Sequence, residues 1–225
     1  MLEEKTLVEL SYDGEYVSRL GMVETKKCKI RLSKPETGLL KRMYEGRGYL
    51  IDASMTHRDE NTSLTAQIDG KTVGTLTLNM DNGYLGAEKQ YPEFVAQLRS
   101  QGAKICEIGK LALDPSVRSK RVLGAIFHLS WIAAFRFRHA TDLIIEVNPR
   151  HAAFYKEMLQ FEQVGEERIC ERVGAPGVLL HLNVEYARKL IAQHAGNLDQ
   201  PRGRRSFLPY FFPLKEENEL IAKFC

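Results

Sequence analysis

Several short segments of the chain alternate apolar and polar residues, which predicts strands with one buried face. Cys28–Leu32 is the first clear example. Leu64–Ile68 and Val73–Leu78 flank Asp69-Gly70-Lys71, a turn sequence that is typical of a β-hairpin. Residues 1–25 alternate only weakly, so the sequence predicts an N-terminal arm there rather than part of the sheet.

Helical spacing of apolar residues is longest between about Ser119 and His139, where Val122, Ile126 and Leu129 recur at steps of three and four. Shorter helices are predicted near Pro35–Glu45, at Glu88–Ser100, after Asn148-Pro149, at Glu185–His194 and at Lys215–Phe224. Further strands are predicted at Lys104–Leu113, Leu143–Val147, Gln163–Arg172 and Val178–Val184. This order predicts an α+β fold, in which helices flank a mixed, largely antiparallel and twisted sheet.

Composition limits the classes of protein that fit. The chain has 225 residues, of which 44% are apolar and 27% charged, as in soluble globular domains. A net charge of +3 does not indicate a nucleic-acid binder. The sequence shows no signal peptide and no apolar run near the ~20 residues that span a bilayer, so we expect a cytoplasmic protein. Its four cysteines lack metal-ligand spacing, so we expect reduced thiols and no metal.

Glu107 lies inside an apolar strand pattern, and a buried carboxylate without a partner is costly. Strand alternation would place Glu107, Gly109 and Leu111 on one face and Ile108 and Lys110 on the other. One explanation is a structural ion pair with a neighbouring strand. The other, which we favour, is a general base with a raised pKa that removes a proton from an amine nucleophile.

The order of motifs after Glu107 is informative. An Asp114-Pro115 turn, a basic loop, a long helix, a short strand and the segment Asn148–Tyr155 follow it. This order resembles the acyl-CoA-binding core of the GNAT acyltransferase superfamily, where the loop and helix start hold a pyrophosphate on backbone N–H groups. Ordinary members have glycines in this loop, whereas this chain has Ser119, Arg121 and Leu123. The loop therefore keeps its charge but loses the residues that let a backbone approach phosphate closely.

The pattern around Glu107 and Lys110 also resembles two GNAT relatives, the N-acyl amino acid synthases and, more distantly, the acyl-homoserine-lactone synthases. The first resemblance covers about Lys104–Gly165. Both families take the acyl group from an acyl carrier protein. The resemblance thus implies that donor, with acyl-CoA as the alternative, and an amino acid as the acceptor. In the lactone synthases the two corresponding residues recognise and activate the amine, which implies those roles for Glu107 and Lys110.

Donor binding is expected at the basic loop, because a carrier protein presents one phosphodiester beneath an acidic helix. The residues expected to contact it are Arg118, Ser119, Lys120 and Arg121. Arg136 and Arg138, at the end of the long helix, are further candidates for carrier docking. They would interact favourably with the helix dipole whether or not a partner binds.

Other site residues follow from the resemblance. Tyr155 lies where many GNAT enzymes place a tyrosine near the departing thiolate, so it would protonate the pantetheine sulfur; the alternative is a core tyrosine. Asn148 and Arg150 follow a strand end, where binding residues gather, although Asn before Pro also caps helices. Arg42 and Arg47 match loosely an N-terminal arginine of the acceptor site, and a guanidinium can bind a carboxylate bidentately.

These observations leave three functional hypotheses. The first is an N-acyltransferase that moves a fatty acyl group from acyl carrier protein to an amino acid amine, with no permanently bound cofactor. The alternatives are an acetyl-CoA-dependent N-acetyltransferase and a non-catalytic module that binds an acyl carrier protein. The predicted acyltransferase domain covers residues 26–184, and residues 185–225 form a helical, aromatic extension. The oligomeric state is left open.

Overall fold

One nine-stranded sheet organises the computed structural model, which describes residues 4–17, 23–34, 36–49, 61–117, 119–198 and 206–224. The strands are β1 Lys5–Val17, β2 Val23–Ser33, β3 Thr62–Ile68, β4 Lys71–Met80, β5 Ile105–Leu113, β6 Asp142–Val147, β7 Glu162–Gln163, β8 Arg168–Cys170 and β9 Ala175–Asn183. Their order is β1-β2-β3-β4-β5-β6-β9-β7, and β8 pairs with β9. The β5/β6 pair is parallel, and the other strand pairs of the described residues are antiparallel.

Helices and turns connect the strands. The helices are α1 Thr37–Glu45, α2 Pro92–Ser100, α3 Lys120–Ile132, α4 Pro149–Leu159, α5 Val184–His194 and α6 Leu214–Ile221. Side-chain caps explain three of the starts: Ser119 caps α3, Asn148 caps α4 ahead of Pro149, and Asn183 caps α5. Gly86–Lys89 and Leu208–Tyr210 are 3₁₀ turns, and α3 continues into a π-helical turn at Ala133–Phe137.

The main core lies around α3, whose residues 124–132 are all buried. The helix packs against β1, β3 and β4, whereas α4 and α5 pack against β9. The aromatic segment before α6 joins the same core through Phe207, Phe211 and Phe212. Residues 206–221 are therefore packed on the body of the fold. Across the described ranges, no helix is long and apolar enough to cross a membrane.

The predicted α+β class and mixed, largely antiparallel sheet are confirmed. The predicted hairpin is β3 and β4, joined at Asp69-Gly70. The N-terminal segment differs from expectation: residues 5–17 form β1, and Cys28–Leu32 lies in the second strand. The helix predicted at Glu88–Ser100 is divided, because α2 begins only at Pro92. Pro35 and part of the predicted arm lie outside the described residues.

Candidate active site

The sheet opens in its middle, between β5 and β6. The two strands pair only from Ile105↔Asp142 to Glu107↔Ile144. On the other side of β5, the register with β4 shifts by one residue between Thr75 and Thr77, and Lys110 has a φ of 53°. Such an extra residue is a β-bulge, which bends a strand away from its neighbour. The strict alternation predicted from Glu107 onward is therefore wrong, because it does not continue across this bulge.

A cavity of about 390 Å³ occupies the opening. Its lining includes the apolar residues Ile108, Leu111, Leu113, Leu123, Ile145, Val147 and Phe154. It also includes the polar residues Tyr44, Arg47, Tyr49, Asn79, Glu107, Glu146, Asn148, His151, Tyr155 and Arg172. An apolar chain with one reactive polar end fits a cavity that offers both kinds of side chain. No cluster of metal-ligating side chains is found in the part of the chain that the structure describes.

Glu107 is buried, with 6% of its surface exposed, and it borders the cavity. Its Oε2 accepts a bond from the Gly86 N–H (2.6 Å) and faces the Asn79 amide (3.4 Å). Its Oε1 accepts from the Ala87 N–H (3.0 Å) and lies 3.7 Å from Arg172 Nη2. These contacts anchor the 3₁₀ turn to β5. The assignment of Glu107 as the general base stays a prediction, and its structural alternative now has named partners.

Arg172 joins the strands on both sides of the opening. It follows β8 and reaches Glu107 on β5 and Glu146 on β6, with 2.5 Å between Arg172 Nη2 and Glu146 Oε2. Burial tends to lower the pKa of Arg172, but Glu107 and Glu146 raise it above its usual range. The guanidinium therefore stays charged. The Cys170 thiol also donates to Glu146 Oε2 (3.3 Å), and burial raises the pKa of this thiol. The network therefore holds Cys170 as a neutral thiol.

Two phenols face the cavity. Tyr155 on α4 is 7% exposed and packs edge-on against Phe127, Phe154 and Phe161. Burial raises its pKa well above the usual range, so the phenol keeps its proton near pH 7 and is a weaker acid than an exposed tyrosine. Burial also raises the pKa of Tyr44 to about 12. Tyr155 has the packing of the core tyrosine that the sequence offered as the alternative, and it also lines the cavity. Its role as an acid stays a prediction.

The predicted acceptor residues are only partly brought together. Lys110, Arg47 and Asn148 line the cavity. Arg150 lies at its edge, where it donates to the Tyr49 hydroxyl (2.9 Å) and to His151 (3.3 Å). Burial, and then Arg150 and Arg47, lower the pKa of His151, which keeps this imidazole neutral near pH 7.

Arg42 does not line the cavity, because its guanidinium pairs with Asp114 (3.4 Å). It therefore lies apart from the residues with which the sequence grouped it.

The basic loop precedes α3, whose first turn lines the cavity through Leu123. Lys120 and Arg121 are exposed, and Ser119 Oγ accepts from the Val122 N–H (3.3 Å). Arg118 lies outside the described residues.

Arg136 and Arg138 make internal contacts instead of forming part of this loop. Arg136 donates to Glu217 (3.1 Å) and Arg138 to Thr62 (3.3 Å). These internal contacts form without a carrier protein, so the docking role of Arg136 and Arg138 stays a prediction.

Sequence reasoning missed Glu146, Arg172 and Tyr44. The criterion that selected Glu107, a carboxylate inside an apolar strand, applies equally to Glu146 in Leu143–Val147 and would have found it. Arg172 belongs to a turn with no local signal, and only the folded sheet brings it between two strands. Tyr44 has the spacing of an ordinary helix residue.

Comparison with known proteins gives a family. A family model described as the N-acyl amino acid synthase FeeM matches residues 37–183, which is more than half of the chain. The chain belongs to this FeeM family. The match covers α1 and every strand from β3 to β9, and so includes both walls of the cavity. It leaves out β1, β2 and the C-terminal segment.

One solved structure agrees with this assignment. FeeM, an N-acyl amino acid synthase from uncultured soil microbes, is 25% identical and superimposes with a TM-score of 0.67, covering 75% of this chain and 97% of that chain. An N-acetyltransferase from Staphylococcus aureus Mu50 gives 10% identity and 0.49, over 70% of this chain and 98% of that one. An acyl-CoA N-acyltransferase from Pseudomonas aeruginosa gives 16% and 0.45, over 65% and 89%. No curated protein sequence matches the chain. The protein is an N-acyltransferase with the GNAT fold.

Proposed function

We propose that the protein transfers a fatty acyl group from acyl carrier protein to the amine of an amino acid. The observation that carries this proposal is the cavity between β5 and β6, whose lining combines apolar side chains, which suit an acyl chain and pantetheine, with charged side chains, which suit the acceptor. The match to a synthase of N-acyl amino acids supports the same reaction class. The acyl donor enters as a substrate.

The basic loop supports a carrier protein as the donor. A pyrophosphate binds best to several free N–H groups at a helix start, approached through glycines. Here the Val122 N–H already donates to Ser119 Oγ, so it is not free for a phosphate. Lys120 and Arg121 are exposed and place positive charge on the surface. Exposed cations suit one phosphodiester and an acidic protein surface. In this proposal Arg118, which belongs to the same loop, contributes as well.

The acceptor's ammonium loses one proton to a carboxylate of the cavity, and the free amine attacks the thioester carbon, so that the C–N bond forms. As the tetrahedral intermediate collapses, the nitrogen loses its second proton to solvent and the C–S bond breaks. A backbone N–H of β5 beyond Glu107 stabilises the oxyanion. Tyr155 gives its proton to the departing sulfur and regains one from solvent. The guanidinium of Arg47 binds the acceptor carboxylate, while Lys110 and Asn148 border the same space.

The test is product formation. The purified protein is incubated with a mixed amino acid pool and either palmitoyl acyl carrier protein or palmitoyl-CoA, and amides are identified by mass spectrometry. We expect N-palmitoyl amino acids from the carrier-protein thioester. Amides from palmitoyl-CoA alone would overturn the donor assignment, and the absence of amides from both donors would overturn the proposed function.

A further inference from the structure

Among the described residues, one carboxylate oxygen of Glu146 has no hydrogen-bond partner. Its side chain is 4% exposed, and its Oε2 receives the Arg172 guanidinium (2.5 Å) and the Cys170 thiol (3.3 Å). Its Oε1 is buried and has no hydrogen-bond partner among the residues that the structure describes. Glu146 also lines the cavity. A buried carboxylate oxygen of this kind is costly unless a donor reaches it.

Glu107 offers a contrast on the opposite wall. Two backbone N–H groups, at 2.6 and 3.0 Å, fix one oxygen each, and Asn79 and Arg172 lie on the remaining sides. A general base needs a lone pair that can reach the proton it removes. Of the two carboxylates, Glu146 is the one whose oxygen is available.

The charge of this network points to a cation. Glu107, Glu146 and Arg172 together carry two negative charges and one positive charge when all three are ionised. A buried network with an uncompensated negative charge is stabilised by a cationic group that completes the hydrogen bonding. The ammonium of an amino acid has this charge and three N–H donors.

Gly177 provides the room for the oxygen. A side-chain Cβ at this position would lie 2.8 Å from Glu146 Oε1 and 3.2 Å from its Cγ. Gly86 has a similar effect on the other wall, where a Cβ would lie 2.0 Å from Arg172 Nη1. Glycines at both positions let the three charged side chains pack in this arrangement.

We propose that Glu146 Oε1 binds the acceptor's ammonium and removes its proton, while Glu107 is a positioning residue that holds Arg172 and the Gly86–Ala87 turn. This inference rests on the proposed function. The amine nitrogen keeps its electron pair for the thioester carbon, and the proton passes to Glu146 and then to solvent. The role first predicted for Glu107 is thereby assigned to its neighbour across the opening.

The experiment compares Glu146→Gln and Glu107→Gln on two acceptors, an amino acid and an acyl hydrazide, whose amine is unprotonated at neutral pH. Glu162→Gln, at an exposed carboxylate of β7, is the matched control. We expect Glu146→Gln to lower kcat/KM for the amino acid by about 100-fold and to lose much less with the hydrazide. Glu107→Gln should lower kcat/KM equally for both acceptors. Glu146→Asp should keep part of the activity that Glu146→Gln loses. Thermal unfolding confirms that each variant is folded.

Three results would overturn the inference: Glu146→Gln behaving like the control, Glu146→Gln losing activity equally on both acceptors, or the acceptor-selective loss following Glu107→Gln. The failure of the proposed function would be visible separately, because the wild-type protein would then form no amide. Calorimetry gives a second readout that does not depend on turnover. We expect Glu146→Gln to weaken binding of the amino acid at least tenfold, and equal affinity would contradict the ammonium contact.

Discussion

At the scale of single residues, Tyr155 shows how burial sets the protonation state of a side chain. Three aromatic rings surround its ring, and the same burial raises the pKa of the phenol. The phenol therefore keeps its proton near pH 7, but it is also a weaker acid than an exposed tyrosine. In the proposed mechanism it gives this proton to the pantetheine sulfur only as negative charge develops there.

We expect Tyr155→Phe to lower kcat by roughly 10- to 100-fold, because the ring packing stays and only the proton donor is lost. The loss should shrink with an aryl thioester donor, whose thiolate leaves without a proton. Steady-state rates with both donors measure this, and Tyr186→Phe, at an exposed tyrosine of α5, is the control. An equal loss with both donors would show that the hydroxyl acts otherwise.

Glu107 shows which properties of a single site residue can be predicted from the sequence and which cannot. A carboxylate in an apolar strand is visible in one line of sequence, and its burial is as expected. Its partners were not visible, because Gly86, Ala87 and Arg172 come from distant parts of the chain. Which of two buried carboxylates has an available oxygen depends on those partners, so the sequence alone could not separate Glu107 from Glu146.

At the scale of elements, the proposed choice of donor rests on the loop before α3. Its glycine positions hold Ser119, Arg121 and Leu123, which have different places in the structure: a helix cap, an exposed cation and a cavity wall.

Most of the helices and strands were predicted correctly, because hydrophobic periodicity is a local property of the sequence. The bulge in β5 was not predicted, because it depends on the register between strands.

Charge reversal in this loop tests the donor surface. We expect Lys120→Glu/Arg121→Glu to raise KM for the acyl carrier protein thioester at least tenfold at low salt, with a smaller effect at high salt because screening weakens such contacts. The same protein should keep its activity toward a short acyl-pantetheine thioester. Lys189→Glu/Lys215→Glu, at exposed positions of α5 and α6, makes the same change in net charge and is the control. Unchanged KM for the carrier-protein donor would remove the loop from the docking surface.

At the scale of the whole molecule, the C-terminal segment is attached to α3 through a buried histidine. His128 is fully buried; its Nδ1 accepts from the Phe212 N–H (2.9 Å), and its Nε2 lies 3.5 Å from Glu217. The ring stacks on Phe211. Burial lowers the pKa of His128, while Glu217 opposes that shift. No local pattern in the sequence predicted this attachment, because it joins residues more than 80 positions apart.

The folded protein therefore depends on a neutral His128. Because its pKa is lower when folded than when unfolded, the unfolded chain binds the proton first as the pH falls below about 6.5, and stability decreases. We expect the free energy of unfolding in urea to fall more between pH 7.5 and pH 5.5 in the wild type than in His128→Gln. His139→Asn, at an exposed position, should keep the wild-type dependence. Equal pH dependence in His128→Gln would contradict this account.

The most direct test of the central claim is the donor preference of the wild-type protein. With one acceptor amino acid identified, kcat/KM for amide formation is measured with palmitoyl acyl carrier protein and with palmitoyl-CoA. We predict that the carrier-protein thioester is preferred at least tenfold, because the loop offers exposed cations instead of a glycine-lined phosphate site. An equal or higher kcat/KM with palmitoyl-CoA would contradict acyl carrier protein as the donor. No amide from either donor would contradict the proposed function.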